Sequence, residues 1–312
     1  MNNKDYFPDL VGQHAVKKKL GFYLEAFNKT EMCPFLNLIG AKGLGKTEFA
    51  KAFARNLRNK DGDKRSFLEL NCSTIKNNEQ FFEQIFMPLV SDNEITILFD
   101  ECHALPLDLT MAFLTIFNTE KNSRKNFEWN EATFEFNFKK QTFIFATTES
   151  DKMFPPLKDR LTVVEFSDYS VDDLKGIIKS YLSEYTFCED ALQVIAETSR
   201  GNARSCILMA QDIRNYCKTY RIEHVSKNDA MQLFTILGIL PEGLNRIEWQ
   251  ILNILKKHGS CSLASLAAKT GLSRSSIQRD HEMFLLRKGF ITIEGLRKIT
   301  YHGVKVIDKK FN

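Results

Sequence analysis

The sequence predicts an α/β domain with a parallel central sheet over residues 1–166, a small all-helical domain over 167–240, and a winged helix-turn-helix over 241–312. Three observations carry this division. Five short apolar runs, Phe35–Ile39, Phe67–Leu70, Ile95–Phe99, Thr142–Ala146 and Val163–Phe166, alternate with helix-like segments, the pattern of strands buried on both faces. Ser170 then opens a helix with Asp172 and Asp173 in its first turn, and helical periodicity continues through Glu189–Ser199, Ala203–Tyr220 and Ser226–Leu237 with no strand among them. Beyond the turn at Gly238–Gly243 the order is helix (Asn245–Lys257), helix (Leu263–Lys269), turn at Gly271, helix (Arg274–Lys288), and two short strands near Phe290–Ile293 and Lys298–Tyr301.

Composition agrees with a folded multidomain chain. Its 312 residues exceed one core of ordinary size, and 43% hydrophobic with 26% charged residues excludes a disordered or fibrous chain. No apolar run approaches the ~20 residues that span a bilayer. The segment Met1–Leu10 carries Asp5, Pro8 and Asp9 instead of an apolar signal core, so a cytoplasmic protein with no membrane partner is expected. The seven cysteines are odd in number and scattered, without metal-site spacing, and read as reduced, mostly buried thiols. The net charge of +4 is unevenly spread: Asn245–Asn312 holds 13 Lys+Arg against 5 Asp+Glu, and the remainder 30 against 34. A basic terminal module points to a polyanionic partner.

The strongest chemical signal is Gly40-Ala-Lys-Gly43-Leu44-Gly45-Lys46-Thr47, lying between a strand and a helix that starts near Glu48. Glycines let backbone N–H groups turn inward around phosphates, Lys46 supplies charge to the outer phosphates, and the Thr47 hydroxyl can ligate Mg²⁺. These residues, with Glu48 following them, form the nucleotide side of the expected site. About fifty residues on, the apolar strand Ile95–Phe99 delivers Asp100 and Glu101 at its carboxyl end, the edge where α/β sheets bind ligands. Asp100 is placed to hold the hydrated Mg²⁺ and Glu101 to polarise an attacking water. ATP and Mg²⁺ are therefore the expected ligands. A lone histidine is more often a packing or hydrogen-bonding residue, so His103 is left off the catalytic set.

At these residues the chain resembles the AAA+ ATPases, and within them the RuvB family of Holliday-junction branch-migration motors, over nearly its whole length. Val11-Gly12-Gln13 is similar to the family's adenine-side motif, and Asp100-Glu101-Cys-His103 to its Asp-Glu-x-His box. Ala146-Thr-Thr148 resembles the end of the sensor strand, which implies that Thr148 meets the γ-phosphate or the attacking water. Pro156-Leu-Lys-Asp-Arg160 resembles Pro-Leu-x-x-Arg, implying that Arg160 is an arginine finger acting in trans. Arg200-Gly-Asn-Ala-Arg204 resembles Arg-Gly-Thr-Pro-Arg, implying that Arg204 is the sensor of the helical lid. Tyr169 aligns with an aromatic near the adenine, although a core residue at the domain junction reads equally well.

The departures are local. Ala41 and Lys42 replace two prolines of the phosphate loop, Glu48 follows Thr47, and Asn202-Ala203 replaces Thr-Pro. Where the family has a β-hairpin that contacts its partner RuvA, Phe127–Trp129 and Thr133–Phe138 form the corresponding segment, expected to be shorter and more polar. A RuvA-like partner is thus left open.

In the terminal module, Ser273 is the expected cap of the second helix, and Arg274, Ser275, Gln278 and Arg279 face outward with the residue types that reach bases and phosphates. Arg297 and Lys298 are expected in the wing. The resemblance implies backbone contacts on branched or duplex DNA without sequence readout, and a homo-oligomeric ring, by analogy a hexamer. An ATP-switched replication initiator or helicase loader is the alternative, predicting slow turnover and a preferred duplex sequence. A clamp loader lacks support because Lys158-Asp159-Arg160 is not that group's Ser-Arg-Cys. Glu101 speaks against an ATP-binding scaffold without turnover.

Overall fold

The computed structural model describes residues 5–59, 62–118 and 123–308; the first four residues of the Met1–Leu10 segment lie outside them. The chain divides into two compact units, up to Tyr169 and from Ser170.

The first unit runs α1 (His14–Thr30), β1 (Leu36–Ile39), α2 (Lys46–Asn56) and β2 (Ser66–Asn71), then a π-wound helix (Gln80–Val90), β3 (Ile95–Asp100) and α3 (Leu107–Ile116). The hairpin β4 (Arg124–Trp129) and β5 (Ala132–Asn137) follows, then β6 (Gln141–Thr147), α4 (Pro155–Lys158) and β7 (Thr162–Glu165). The five apolar runs of the sequence are the five strands of one parallel sheet, in the order β2-β3-β6-β1-β7. Its central strands are covered on both faces, which is why they read as unbroken apolar runs: all seven residues of β6 and the first five of β3 are buried. Many of the 26 phenylalanines fill that core, with Phe99, Phe113, Phe117, Phe143 and Phe145 interlocked by ring contacts.

The hairpin forms where expected, turning at Asn130 and Glu131 with φ of 44° and 62°, as a two-residue turn of primed type requires. Its aromatic residues share one face, and most of its polar ones lie on the other. Phe134 and Phe136 are buried, and Phe82 stacks against Phe127 and Trp129, so one face of the hairpin is bound to the core by aromatic packing.

The second unit contains α5 (Val171–Tyr181), β8 (Thr186–Phe187), α6 (Glu189–Thr198), α7 (Ala203–Tyr220), β9 (His224–Val225) and α8 (Lys227–Leu237). Reciprocal capping boxes, Ser170 with Asp173 and Ser226 with Asp229, start α5 and α8. The all-helical expectation is corrected by β8 and β9, which pair in parallel and tie together the segments that follow α5 and α7. Two-residue strands carry no readable periodicity.

The unit continues with α9 (Arg246–His258), β10 (Ser260–Cys261) and α10 (Leu263–Thr270). A continuous helical run, α11 (Arg274–Ser276), a π-wound turn (Ile277–Glu282) and α12 (Met283–Arg287), leads into β11 (Ile291–Glu294), β12 (Leu296–Ile299) and α13 (Tyr301–Asp308). The helix-turn-helix and wing lie as expected. The second wing strand ends at Ile299, however, and Tyr301 begins a helix that the sequence reading missed. A third strand, β10, completes the wing sheet. Helix α13 packs tightly, because a Cβ at Gly303 would stand 2.3 Å from the Phe290 carbonyl oxygen.

All seven cysteines are free thiols, five of them buried. Among the described residues no helix is long and apolar enough to cross a membrane.

Candidate functional site

The sheet order creates the site. Because β6 pairs with both β1 and β3, the carboxyl ends of three neighbouring strands bring together the phosphate loop after Ile39, Asp100 with Glu101, and Thr147 with Thr148.

The loop from Gly40 to Gly45 turns back on itself before α2. Gly45 has φ 91°, and a Cβ there would meet the Tyr169 hydroxyl at 3.2 Å, so glycine suits both the conformation and the space. At Gly40 a Cβ would stand 2.8 Å from that of Phe166. Lys46, first residue of α2, is buried and donates from Nζ to the carbonyls of Gly40 and Ala41 at 2.7 and 3.0 Å. An ammonium cradled inside its own loop at a helix N-terminus is the arrangement that receives phosphate. Gly43 is half-buried. Leu44 is buried and its carbonyl accepts from the Tyr169 hydroxyl at 3.2 Å, so Tyr169 braces the phosphate loop while lying in the core. The side chain of Glu48 is exposed and turned toward Lys51 at 3.7 Å; only its place in the first turn of α2 belongs to the loop.

Opposite the loop, the Thr47 hydroxyl lies 3.5 Å from Asp100 Oδ2, and Asp100 Oδ1 accepts the Glu101 N–H at 3.0 Å. Burial pushes the Asp100 carboxyl above its ordinary range; the Glu101 N–H opposes this, and the neighbouring charges of Glu101 and Glu69 reinforce it. Among the described residues no group of three or more His, Cys, Asp or Glu side chains could hold a metal by itself. One hydroxyl beside one half-buried carboxylate nevertheless fits Mg²⁺, which takes few protein ligands and completes its octahedron with phosphates and water.

Glu101 sits in the left-handed region at φ 52°, and its carboxylate reaches the end of β6. Its Oε2 accepts the Thr148 hydroxyl at 3.0 Å. His103, set aside at the sequence level, belongs to the same cluster: Nδ1 lies 2.9 Å from the Thr147 hydroxyl and 3.5 Å from Glu101 Oε2, and Nε2 lies 3.2 Å from Glu149 Oε2. Neither His103 nor Glu149 had a readable partner in the sequence; the Asp-Glu-x-His spacing was the available signal.

The Val11-Gly12-Gln13 segment is anchored to the chain that follows β7. Val11 is half-buried, and Gln13 exchanges hydrogen bonds with Ser167, donating to its carbonyl at 2.6 Å and accepting its N–H at 3.3 Å. Arg160, just past α4, is half-buried and donates from Nη1 to the Pro156 carbonyl at 2.7 Å, while its buried Nε has no hydrogen-bond partner among the described residues. In the second unit, Arg204 is exposed on the first turn of α7, and Asn202 caps that helix by accepting from the Ser205 N–H at 3.1 Å, so the helix starts without the proline whose place Ala203 takes.

On the terminal module Arg274, Gln278, Arg279 and Lys298 are exposed; Arg279 pairs with Asp280 at 2.9 Å and Lys298 with Glu294 at 3.1 Å. Arg297 is a correction to the expected DNA surface. It points inward from β12, buried, and makes a two-toothed pair with buried Glu282 at 2.5 and 3.1 Å. Neighbouring strand residues face opposite sides, so exposing Lys298 turns Arg297 into the module.

Comparisons with known proteins bear on both modules. Residues 36–169 match the model of the ATPase family associated with various cellular activities (AAA), and residues 241–308 match the RuvB C-terminal winged helix domain. The Holliday junction branch migration complex subunit RuvB of Thermotoga petrophila is 26% identical over 301 residues, spanning 91% of this chain and 84% of that one. The corresponding subunit of Kosmotoga olearia is 28% identical over 304 residues, spanning 91% and 82%. Among solved structures, the Thermotoga maritima RuvB Holliday junction branch migration motor superposes with a TM-score of 0.75 at 23% identity, covering 99% of this chain and 100% of that one. That likeness carries the fold. With an AAA ATPase domain joined to a RuvB-type winged helix and relatives aligned along nine-tenths of its length, the chain carries the two-domain signature of the RuvB AAA+ ATPases.

Proposed function

We propose that this chain hydrolyses ATP to drive movement of branched DNA, as a subunit of a homo-oligomeric ring, in the manner of a Holliday-junction branch-migration motor. The observation that carries the reading is the Thr148–Glu101 contact beside a phosphate loop, in a chain that ends in a RuvB-type winged helix.

Lys46 leaves its loop carbonyls for the outer phosphates of ATP, and the loop N–H groups take the remaining oxygens. Thr47 and Asp100 would hold Mg²⁺, which when bound neutralises charge on the β- and γ-phosphates. Thr148 holds the Glu101 carboxylate by one oxygen. The other oxygen accepts a proton from water as that water attacks the γ-phosphorus and the bond to the β–γ bridging oxygen breaks, releasing ADP and phosphate. Arg160 of a neighbouring subunit stabilises the charge that develops on the transferred group, and a hexamer is the expected ring. Arg204 reads the γ-phosphate for the lid. The winged helix grips the DNA backbone through Arg274, Gln278, Arg279 and Lys298, without base readout, because a translocating motor must accept every sequence.

The test is steady-state ATPase activity with no DNA, with linear duplex and with a four-way junction, over a range of salt. Stimulation that falls steeply with salt, largest with the junction, is expected. Slow turnover that no DNA stimulates would overturn the motor reading in favour of an ATP-switched initiator or loader.

A further inference from the structure

Between α6 and α7 the chain reverses through Arg200 and Gly201, both at positive φ, 57° and 76°. Arg200 stands four residues before Arg204, yet its side chain reaches into the terminal module. Nη1 and Nη2 donate to Glu248 Oε1 and Oε2 at 2.8 and 2.7 Å, and Nη2 also donates to the Gly243 carbonyl. The guanidinium lies 3.8 Å from the centre of the Phe284 ring.

Each partner leads to a different part of the winged helix. Glu248 is fully buried and belongs to the capping box that starts α9, accepting the Asn245 N–H at 2.8 Å; His281 Nδ1 approaches it at 3.6 Å. Phe284 lies on the same continuous helical run that presents Arg274, Gln278 and Arg279. Gly243 closes the joint from the other side, because a Cβ there would stand 3.0 Å from Thr198 Cα at the end of α6.

A buried ion pair is weak evidence for stability, since apolar residues of the same shape often serve as well. A forked pair that is also stacked on a ring does something apolar packing does not: it fixes orientation about every axis. We propose that Arg200 is a positioning residue that locks the loop bearing Arg204 to the start of α9 and to the DNA-facing helix, so that nucleotide sensing and DNA grip move as one body. The inference rests on the motor reading and names the joint through which that motor is coupled. Coupling between two sites is reciprocal: DNA should change turnover, and nucleotide should change DNA affinity, through this joint.

The experiment compares the full-length chain with the double replacement Arg200→Met/Glu248→Leu, which removes both charges while keeping volume, and with Arg200→Lys, which keeps the charge and loses the fork. Three quantities are read: ATPase without DNA, ATPase with saturating duplex, and duplex affinity by fluorescence anisotropy with ADP and with a non-hydrolysable ATP analogue. Thermal melting identifies the folded variants. In any folded variant, turnover without DNA and affinity in ADP should match the parent, whereas turnover with DNA should stay within about twofold of turnover without it, and the analogue should no longer shift affinity. A folded variant that keeps the parent's stimulation overturns the inference alone. So does one that loses basal turnover in the same proportion, because that marks a merely structural role. If neither variant folds, Gly243→Ala, which wedges the same joint from the opposite side, is read by the same criteria. A parent chain that DNA does not stimulate would instead overturn the motor reading, and this inference with it.

Discussion

The hydroxyl of Thr148 donates to Oε2 of Glu101 at 3.0 Å, joining the residue just past the end of β6 to the residue just past the end of β3. One carboxylate oxygen is thereby fixed and the other left for a water, which is how a carboxylate on a left-handed backbone turn becomes a directed base. Thr148→Val removes the donor at nearly constant volume. ATP binding should persist while turnover falls by about tenfold or more, and Thr148→Ser should recover most of it. Single-turnover hydrolysis beside equilibrium ATP binding checks this; a valine variant with parental turnover would sink the assignment.

The phosphate loop and the base separate binding from chemistry. Lys46→Ala should abolish nucleotide binding, because a buried ammonium that the loop carbonyls already orient is lost from the phosphate cradle. Glu101→Gln should bind ATP and turn it over about 10²- to 10⁴-fold more slowly, accumulating an assembled, ATP-loaded state. Isothermal titration calorimetry distinguishes the two; tight ATP binding by Lys46→Ala would overturn the site.

Arg160 carries a buried Nε with no hydrogen-bond partner among the described residues, which suits a side chain completed by a neighbour. An arginine supplied in trans contributes about 10³- to 10⁵-fold in rate. Neither Arg160→Ala nor Glu101→Gln should hydrolyse ATP at a useful rate alone, but mixed rings should contain sites with an intact Glu101 facing an intact Arg160. ATPase activity across mixing ratios should therefore rise above that of either variant. No recovery at any ratio would remove the trans role.

Neighbouring residues of the wing should fail in opposite ways. Lys298→Ala, like Arg274→Ala, should weaken duplex binding uniformly across sequences and lower the salt slope by about one. Arg297→Ala strands the buried carboxylate of Glu282 and should instead destabilise the module by about 3–5 kcal/mol. Anisotropy titrations over a salt series, set beside thermal melts, read both. A stable Arg297→Ala variant with weakened DNA binding would restore Arg297 to the DNA surface.

Four of the seven thiols should be inert in the native chain. Burial raises the Cys33 thiol to about 12 and the Cys206 thiol to about 11, and raises Cys72 and Cys102 further. The nucleophile is the thiolate, so raising these values suppresses alkylation at neutral pH. Iodoacetamide labelling followed by mass spectrometry should find these four cysteines unmodified until denaturant is added; rapid native labelling of Cys72 or Cys102 would contradict their burial.

Much of this protein was legible without a structure wherever the information is local. The phosphate loop is eight consecutive residues whose glycines, lysine and threonine each answer a short-range need. The central sheet strands are apolar runs because both their faces are covered, and the caps at Ser170 and Ser226 announce their helices within three residues. What remained hidden depends on partners far along the chain. His103 joins the site only because β3 and β6 are neighbours, which brings Thr147 and Glu149 to it from more than forty residues away. Arg200 and Glu248 are separated by 48 residues, and no periodicity links them. Arg297 read as a basic wing residue until the alternation of β12 turned it onto Glu282. Sequence by itself determined the modules and the chemistry of the phosphate loop, because contiguous residues specify turns, strands and caps. Tertiary structure decided which charges meet phosphate or solvent and which are spent inside, because that depends on burial and on pairing across the fold.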